Sequence, residues 1–359
     1  MRHWVSRLEG EKIMWIAMSK ASHQVEFSAT HVDCEHRVPP ARGNVRLGLD
    51  SFWRWYYRKI WAGLTAKSLA GRIAELSPRL VWLMLDFGIV PVMLRMLPHL
   101  QRQRLHVSIH DDPVATAERE RCSRAFIDEA RSVLGALDRI EFTADAVSEE
   151  LLSSCVPEAQ MRAVVTMPVN ERRRAEAVRE PRRDGILTVG FSGNFMGMKE
   201  FACFVGGLRL WKERTGRDWR LLAFGNSQLG ILDPRIDARG FTPADEVNAK
   251  LQECDLLLLP MALEGEEMKT SVPTKLVSYV ECGRMVFSFA PQGSATARIL
   301  RESHLGPVVS VISPVAVAEA LDQLESWDIK ATEEGWQSLT THRFNEDRIL
   351  KDLKDCLDK

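Results

Sequence analysis

The sequence has no two cysteines close enough to make a C-x-x-C pair. Its seven cysteines (34, 122, 155, 203, 254, 282 and 356) stand singly, which argues against structural zinc or a disulfide framework and predicts reduced thiols in a cytoplasmic protein. An excess of either charge is also lacking. Forty-eight Lys and Arg face 49 Asp and Glu, a formal net charge of −1, so the chain has no global field for coating nucleic acid. No apolar run is long enough to span a membrane. The longest, LVWLMLDFGIVPVMLRML at 80–97, carries Asp86, Pro91 and Arg95 and predicts a buried strand followed by a helix. The opening MRHWVSRLEGEK lacks the apolar core of a signal peptide. Internal repeats and low-complexity segments are missing too.

What is present suffices for two cores. Of 359 residues, 45% are hydrophobic and 27% charged, an ordinary globular balance for two domains. The polar run ERRRAEAVREPRRDG at 171–185 divides the chain. It predicts a domain over 1–170, a linker at 171–184, a domain over 185–340, and an amphipathic helix at 341–359 packing back towards the first domain.

Beyond the divide, near-continuous apolar runs alternate with helical periodicity. Strands are expected at 186–191, 219–225, 235–241, 255–261, 285–290 and 307–312. Helices are expected at 199–216, 244–255 (with Thr242 as N-cap), 273–283, 294–306 and 314–327. Strands of this kind belong to a parallel sheet covered on both faces. The first half is noisier: 12–18, 79–85, 104–110 and 139–145 read as strands, and 52–76 as one long helix.

The stretch GFSGNFMGMKE at 190–200 puts glycines between a strand and a helix, with Lys199 at the lip. Gly190, Gly193 and Gly197 permit close approach of an anion or positive φ, and Lys199 is placed to neutralise a phosphate. The plain alternative is a tight turn with a solvated lysine. In SVPTK, Ser271, Thr274 and the free N–H groups after Pro273 form a second helix start suited to anions, and Lys275 adds charge; an ordinary capped helix is the alternative. His110 ends a strand in LHVSIHDDP, a place from which histidine can touch a sugar hydroxyl or move a proton. It can equally be a satisfied structural histidine, and a metal role for HDD has no other ligands to support it.

Four stretches, GFSGNFMGMKE, RGFTPADEVNAKLQECDLLLLP (239–260), SVPTKLVSYVECGRMVFSF (271–289) and LHVSIHDDP (105–113), resemble in order and spacing the GT-B glycosyltransferases, in particular the retaining group 1 (family 4) enzymes. The resemblance covers most of 104–345. It implies an α/β fold of two Rossmann-like parallel-sheet domains across a cleft. It implies transfer of a sugar from a nucleotide diphosphate-sugar to a glycan or lipid-linked acceptor, of the cell-surface polysaccharide kind, with no metal or other cofactor. Gly193, Asn194, Lys199, Thr274 and Lys275 would then hold the diphosphate. Phe241 and Ser278 would lie near the nucleotide and ribose, Glu267, Thr270 and Ser271 near the sugar, and His110 at the reacting centre. The family's arginine five residues before the lysine is Asn194 here, its ribose-binding glutamate is Ser278, and its sugar-side acidic residue is Thr270. MRHWVSRLEG resembles the first helix of that fold, so the family's first strand and glycine loop are expected to be missing. These departures keep open a catalytically impaired GT-B-like protein that binds a nucleotide or a partner. The aromatics mixed with Arg54, Arg58 and Lys59 in FWRWYYRKIW (52–61) suit either peripheral membrane contact or a helix packed on the sheet with basic edges.

Overall fold

The structure is a computed structural model. It describes residues 12–18, 32–37, 52, 55–85, 89–100, 105–109, 123–135, 140–142, 161–163, 174–182, 185–194, 197–225, 233–265 and 267–358. The chain forms two compact units. One comprises 1–141, 155–160 and 350–359, the other 142–154 and 161–349.

In the first unit, strands Ile13–Met18 (β1) and Val32–Arg37 (β2) pair in parallel, with Ile13 opposite Val32. β2 was not foreseen, because VDCEHR carries charge at alternate positions and no apolar run. The helix expected at 1–10, with no strand before it, lies outside the described residues. The long helical candidate forms as a π-helical turn, Tyr57–Trp61, leading into Ala62–Leu76 (α1). The 80–97 stretch divides as expected into a strand, Val81–Leu85 (β3), and a helix, Val90–Met96 (α2), in which Pro91 occupies the first turn, where its missing N–H costs nothing. β3 pairs in parallel with Leu105–Ile109 (β4). Arg124–Gly135 (α3) and Ile140–Phe142 (β5) follow, and the short Met161–Ala163 (β6) belongs to the second unit.

The second unit holds a six-stranded parallel sheet. Its strands are Leu187–Ser192 (β7), Trp219–Phe224 (β8), Ile236–Ala238 (β9), Leu256–Pro260 (β10), Met285–Phe289 (β11) and Val308–Val309 (β12), in the order β12-β11-β10-β7-β8-β9. The helices are Met198–Thr215 (α4), Ala244–Gln252 (α5), the single turn Glu267–Thr270 (α6), Thr274–Glu281 (α7), Ala295–Glu302 (α8), Pro314–Asp322 (α9) and Ile329–Ser338 (α10); the last helix, Glu346–Asp358 (α11), starts in this unit, and its residues from 350 on belong to the first.

Period-two alternation sorts the sheet residues into two cores. Leu187, Val189 and Phe191 of β7, with Phe287 and Phe289 of β11, pack against Phe204 and Trp211 of α4 and Val317 of α9. Leu257 and Leu259 of β10 face the opposite way, onto Leu251 of α5, Tyr279 of α7, Leu300 of α8 and Trp336 of α10. Both faces are thus covered, which is why these strands read as unbroken apolar runs. Two expectations fail locally. Thr242 does not cap α5; Pro243 takes the cap position with ψ 142 and no side-chain bond, because its fixed φ suits a helix entry and moves the start one residue on. The strand expected at 307–312 shrinks to two residues, since β12 is an edge strand and Ser313, whose hydroxyl accepts from Ala316 N, starts the next helix. No described helix is long and apolar enough to cross a membrane.

Candidate functional site

From β7 the chain runs through α4 to β8 and β9, then returns past β7 to β10 on its other side. A reversal of this kind leaves a crevice at the carboxyl ends of the two strands flanking it, where ligands of open α/β sheets bind. Here those strands are β7 and β10. The glycine turn at 193–197 leaves one of them and the 261–275 segment leaves the other, so the two stretches singled out in the sequence meet at the switch point.

Each glycine has a definite steric reason. A Cβ on Gly190 would come within 2.7 Å of Leu251 and 2.8 Å of Leu257, so this glycine lets α5 lie close on the sheet. Gly193 has φ +90, a conformation that favours glycine, and a Cβ there would meet Lys275 Cε at 2.7 Å. Its N–H donates to Phe224 O at 2.8 Å. Gly225 backs onto it: φ is +117, and a Cβ would come within 2.7 Å of the Gly193 carbonyl oxygen. The space over the turn is therefore filled by the stem of Lys275, which crosses from α7 on the opposite side of the crevice.

The Lys275 ammonium donates to the backbone carbonyl of Asn194 and lies 5.0 Å from the centre of the Phe191 ring, a cation–π contact. Burial pulls its pKa from 10.5 down to about 8. Lys275 thus delivers charge to Asn194 from 81 positions away in sequence. Lys199, second residue of α4, points outward with its side chain 77% exposed and its ammonium 4.0 Å from the Glu264 carboxylate.

Of the other expected residues, Thr274 opens α7 and is exposed, and no side chain caps that helix start. Ser278 lies exposed one turn further on. Ser271 is half-buried, its carbonyl accepting from Thr296 Oγ1 at 2.8 Å. Phe241 follows β9, 96% exposed, two strands away from β7. The structure brings Gly193, Asn194 and Lys275 into contact and leaves Lys199, Thr274, Ser278 and Phe241 open to solvent. His110 lies outside the described residues, as do the side chains of Glu267 and Thr270.

Two residues of the site carry no sequence signal that drew notice. Tyr279, fully buried, accepts from Ser192 N and donates to Leu258 O, both at 3.1 Å. It ties β7 to β10 below the crevice, and burial pushes its phenol far above the ordinary range. Glu200, in the first turn of α4, is buried, and its carboxylate accepts from Leu263 N at 3.0 Å. Its trace in the sequence is an acidic residue at the third helical position after Gly197.

No protein-family profile and no curated protein matches the chain. Solved structures do resemble it. A sucrose-phosphate synthase from Thermosynechococcus elongatus aligns with TM-score 0.67 at 13% identity, covering 96% of this chain and 88% of that one. HepE (Alr3699) of Anabaena, solved in complex with UDP-glucose, aligns with TM-score 0.60 at 11% identity, covering 96% and 99%. The lipopolysaccharide outer core galactosyltransferase WaaB in its apo form aligns with TM-score 0.59 at 13% identity, covering 92% and 85%. At such identities the likeness is one of architecture: the chain has the fold of the GT-B glycosyltransferases, built from two Rossmann-like α/β domains.

Proposed function

We propose that this chain is a glycosyltransferase moving a sugar from a nucleotide diphosphate-sugar to a glycan or lipid-linked acceptor, in the manner of the retaining group 1 enzymes it resembles. The observation that carries the reading is Lys275, a cation brought across the switch-point crevice onto a glycine turn at a strand's carboxyl end. Its ammonium, with Lys199 and the free N–H groups at the starts of α4 and α7, would stabilise a diphosphate as it leaves. These groups supply the positive field that a metal ion provides elsewhere, so no cofactor is called for. Gly193, Asn194 and Thr274 would line the diphosphate, Phe241 and Ser278 the nucleotide, and Glu267, Thr270 and Ser271 the sugar, with His110 beside the reacting carbon. The fold likeness to a protein holding UDP-glucose supports the donor class. A cytoplasmic enzyme acting on cell-surface polysaccharide precursors, in peripheral contact with a membrane, fits this reading.

A second reading, a nucleotide-binding protein without transfer, is favoured by one observation: the charge of Lys199 is partly offset by Glu264 at 4.0 Å, and Asn194 adds none. Calorimetric titration with UDP, GDP and ADP, followed by donor hydrolysis and transfer assays, separates the two. Binding of one nucleotide that is lost in Lys275→Met, together with turnover, is the expected result. Binding without turnover supports the second reading, and binding to none overturns both.

A further inference from the structure

Glu200 has no part in the chemistry above, yet it is 5% exposed at the mouth of the crevice. Three segments meet on its carboxylate. Oε1 accepts from Leu263 N at 3.0 Å. Oε2 faces Gly197, where a Cβ would approach to 2.5 Å of it and to 3.0 Å of the Pro260 carbonyl oxygen. The turn after β7, the first turn of α4 and the chain leaving β10 are thus clamped at one point, and Gly197 is the residue small enough to allow it. Burying a carboxylate without a cation is costly. The positive end of α4 and the bond from Leu263 offset that cost. An apolar side chain would fill the same space without it, but would leave the Leu263 N–H unbonded.

Leu263 leads directly into Glu264, beside Lys199, and on towards residues 267–271. We propose that Glu200 is a positioning residue that fixes the 261–265 segment against the phosphate turn, and so sets where the sugar-side residues stand relative to the diphosphate. This rests on the nucleotide-sugar reading. It implies that Glu200 matters little for a bare nucleoside diphosphate, whose lysines it does not touch, and strongly for the added affinity contributed by the sugar.

The test compares the full chain with Glu200→Gln, Glu200→Asp and Glu200→Ala, by amide hydrogen exchange at Leu263 and by titration with UDP, GDP, ADP and their glucose conjugates. Glutamine keeps a carbonyl acceptor at the same reach; aspartate keeps the charge but falls one methylene short. Leu263 exchange should rise about tenfold or more in the Asp and Ala variants and stay near wild type in Gln. The ratio of nucleotide-sugar to nucleoside diphosphate affinity should fall about fivefold in Asp and Ala and recover in Gln. Unchanged Leu263 protection in Asp, an equal loss for both ligand classes, or failure of Gln to rescue overturns the proposal. A wild-type chain that binds none of the ligands overturns the nucleotide-sugar reading and with it the sugar-setting role, while Leu263 exchange still reports whether the clamp exists.

Discussion

At the scale of single residues, the site turns on where Lys275 spends its charge. A solvated lysine would titrate near 10.5; burial against Gly193 and the Phe191 ring lowers this one to about 8. Its neighbours are a carbonyl and a ring, with no carboxylate among the causes of the shift. The consequences for stability and binding have opposite signs. Between about 8 and 10.5 the unfolded chain holds more protons than the folded one, so stability rises with pH across that window. Below about 8 both states are protonated and the burial penalty is present in full. Anion binding needs the ammonium, so affinity for a nucleoside diphosphate should fall as pH rises through about 8. Lys275→Met should flatten both profiles and weaken binding at neutral pH about tenfold. Paired denaturation and calorimetric titrations across this range check the signs; a wild-type affinity that does not change with pH would remove Lys275 from the phosphate.

At the scale of elements, the crevice depends on β7 and β10 being held in register, and much of that is done at the far end of the sheet. Asp255, just before β10, is buried. It accepts from Thr188 N at 2.9 Å and Arg182 N at 3.2 Å, while its own N–H donates to Thr188 O at 2.8 Å. Asp255→Ala would leave the part-buried N–H groups of Thr188 and Arg182 without their charged acceptor and should cost about 1–3 kcal/mol in urea denaturation. Because the change lies at the amino ends of the strands, nucleotide affinity measured well below the transition should stay near wild type. The same bonds explain what sequence could reveal of this unit. Most of the strands were legible because they are nearly all apolar, β9 (IDA), with no buried residue, being the exception, and the helices because Gly216 and Gly283, at φ +74 and +59, stop two of them. The polar run after 170 reads as solvated linker, yet Ala175 N and Arg179 N donate to Glu281 O and Gly283 O at the end of α7. Backbone bonding of that kind leaves no mark in hydrophobic pattern. The glycine turn was legible as a turn, but not what fills it, since Lys275 and Glu200 act through contacts made only once α4 and α7 close on the sheet from opposite faces.

At the scale of the whole molecule, a net charge of −1 gives no general attraction to an anionic bilayer, so any membrane contact must come from a local face. The helical stretch through 55–76, with Phe52 just before it, offers one. Phe52, Trp55, Ile60 and Leu64 are exposed, between 40% and 63%, and Lys59 and Lys67 are exposed among them. Arg58 does not contribute: it pairs with Glu129 at 2.9 Å, donates to Ser123 Oγ at 3.0 Å and covers the Phe126 ring, which fastens the helix to α3. The two sequence readings of this stretch therefore divide by residue: Arg58 packs inward, Tyr56, Tyr57 and Trp61 are half-buried, and Phe52, Trp55 and Lys59 face out. Apolar side chains set between lysines suit a headgroup boundary, and the charge component should be screened by salt within about 10 Å. Flotation with vesicles of neutral lipid, with and without an added anionic lipid, tests it. Binding should need the anionic lipid, weaken on raising salt, and drop several-fold in a Lys59→Glu, Lys67→Glu double variant and in Trp55→Ser. Equal binding to neutral vesicles would shift the weight to the aromatics alone. Absence of binding at low salt would mean that this face stays in water and that the acceptor is met without a membrane.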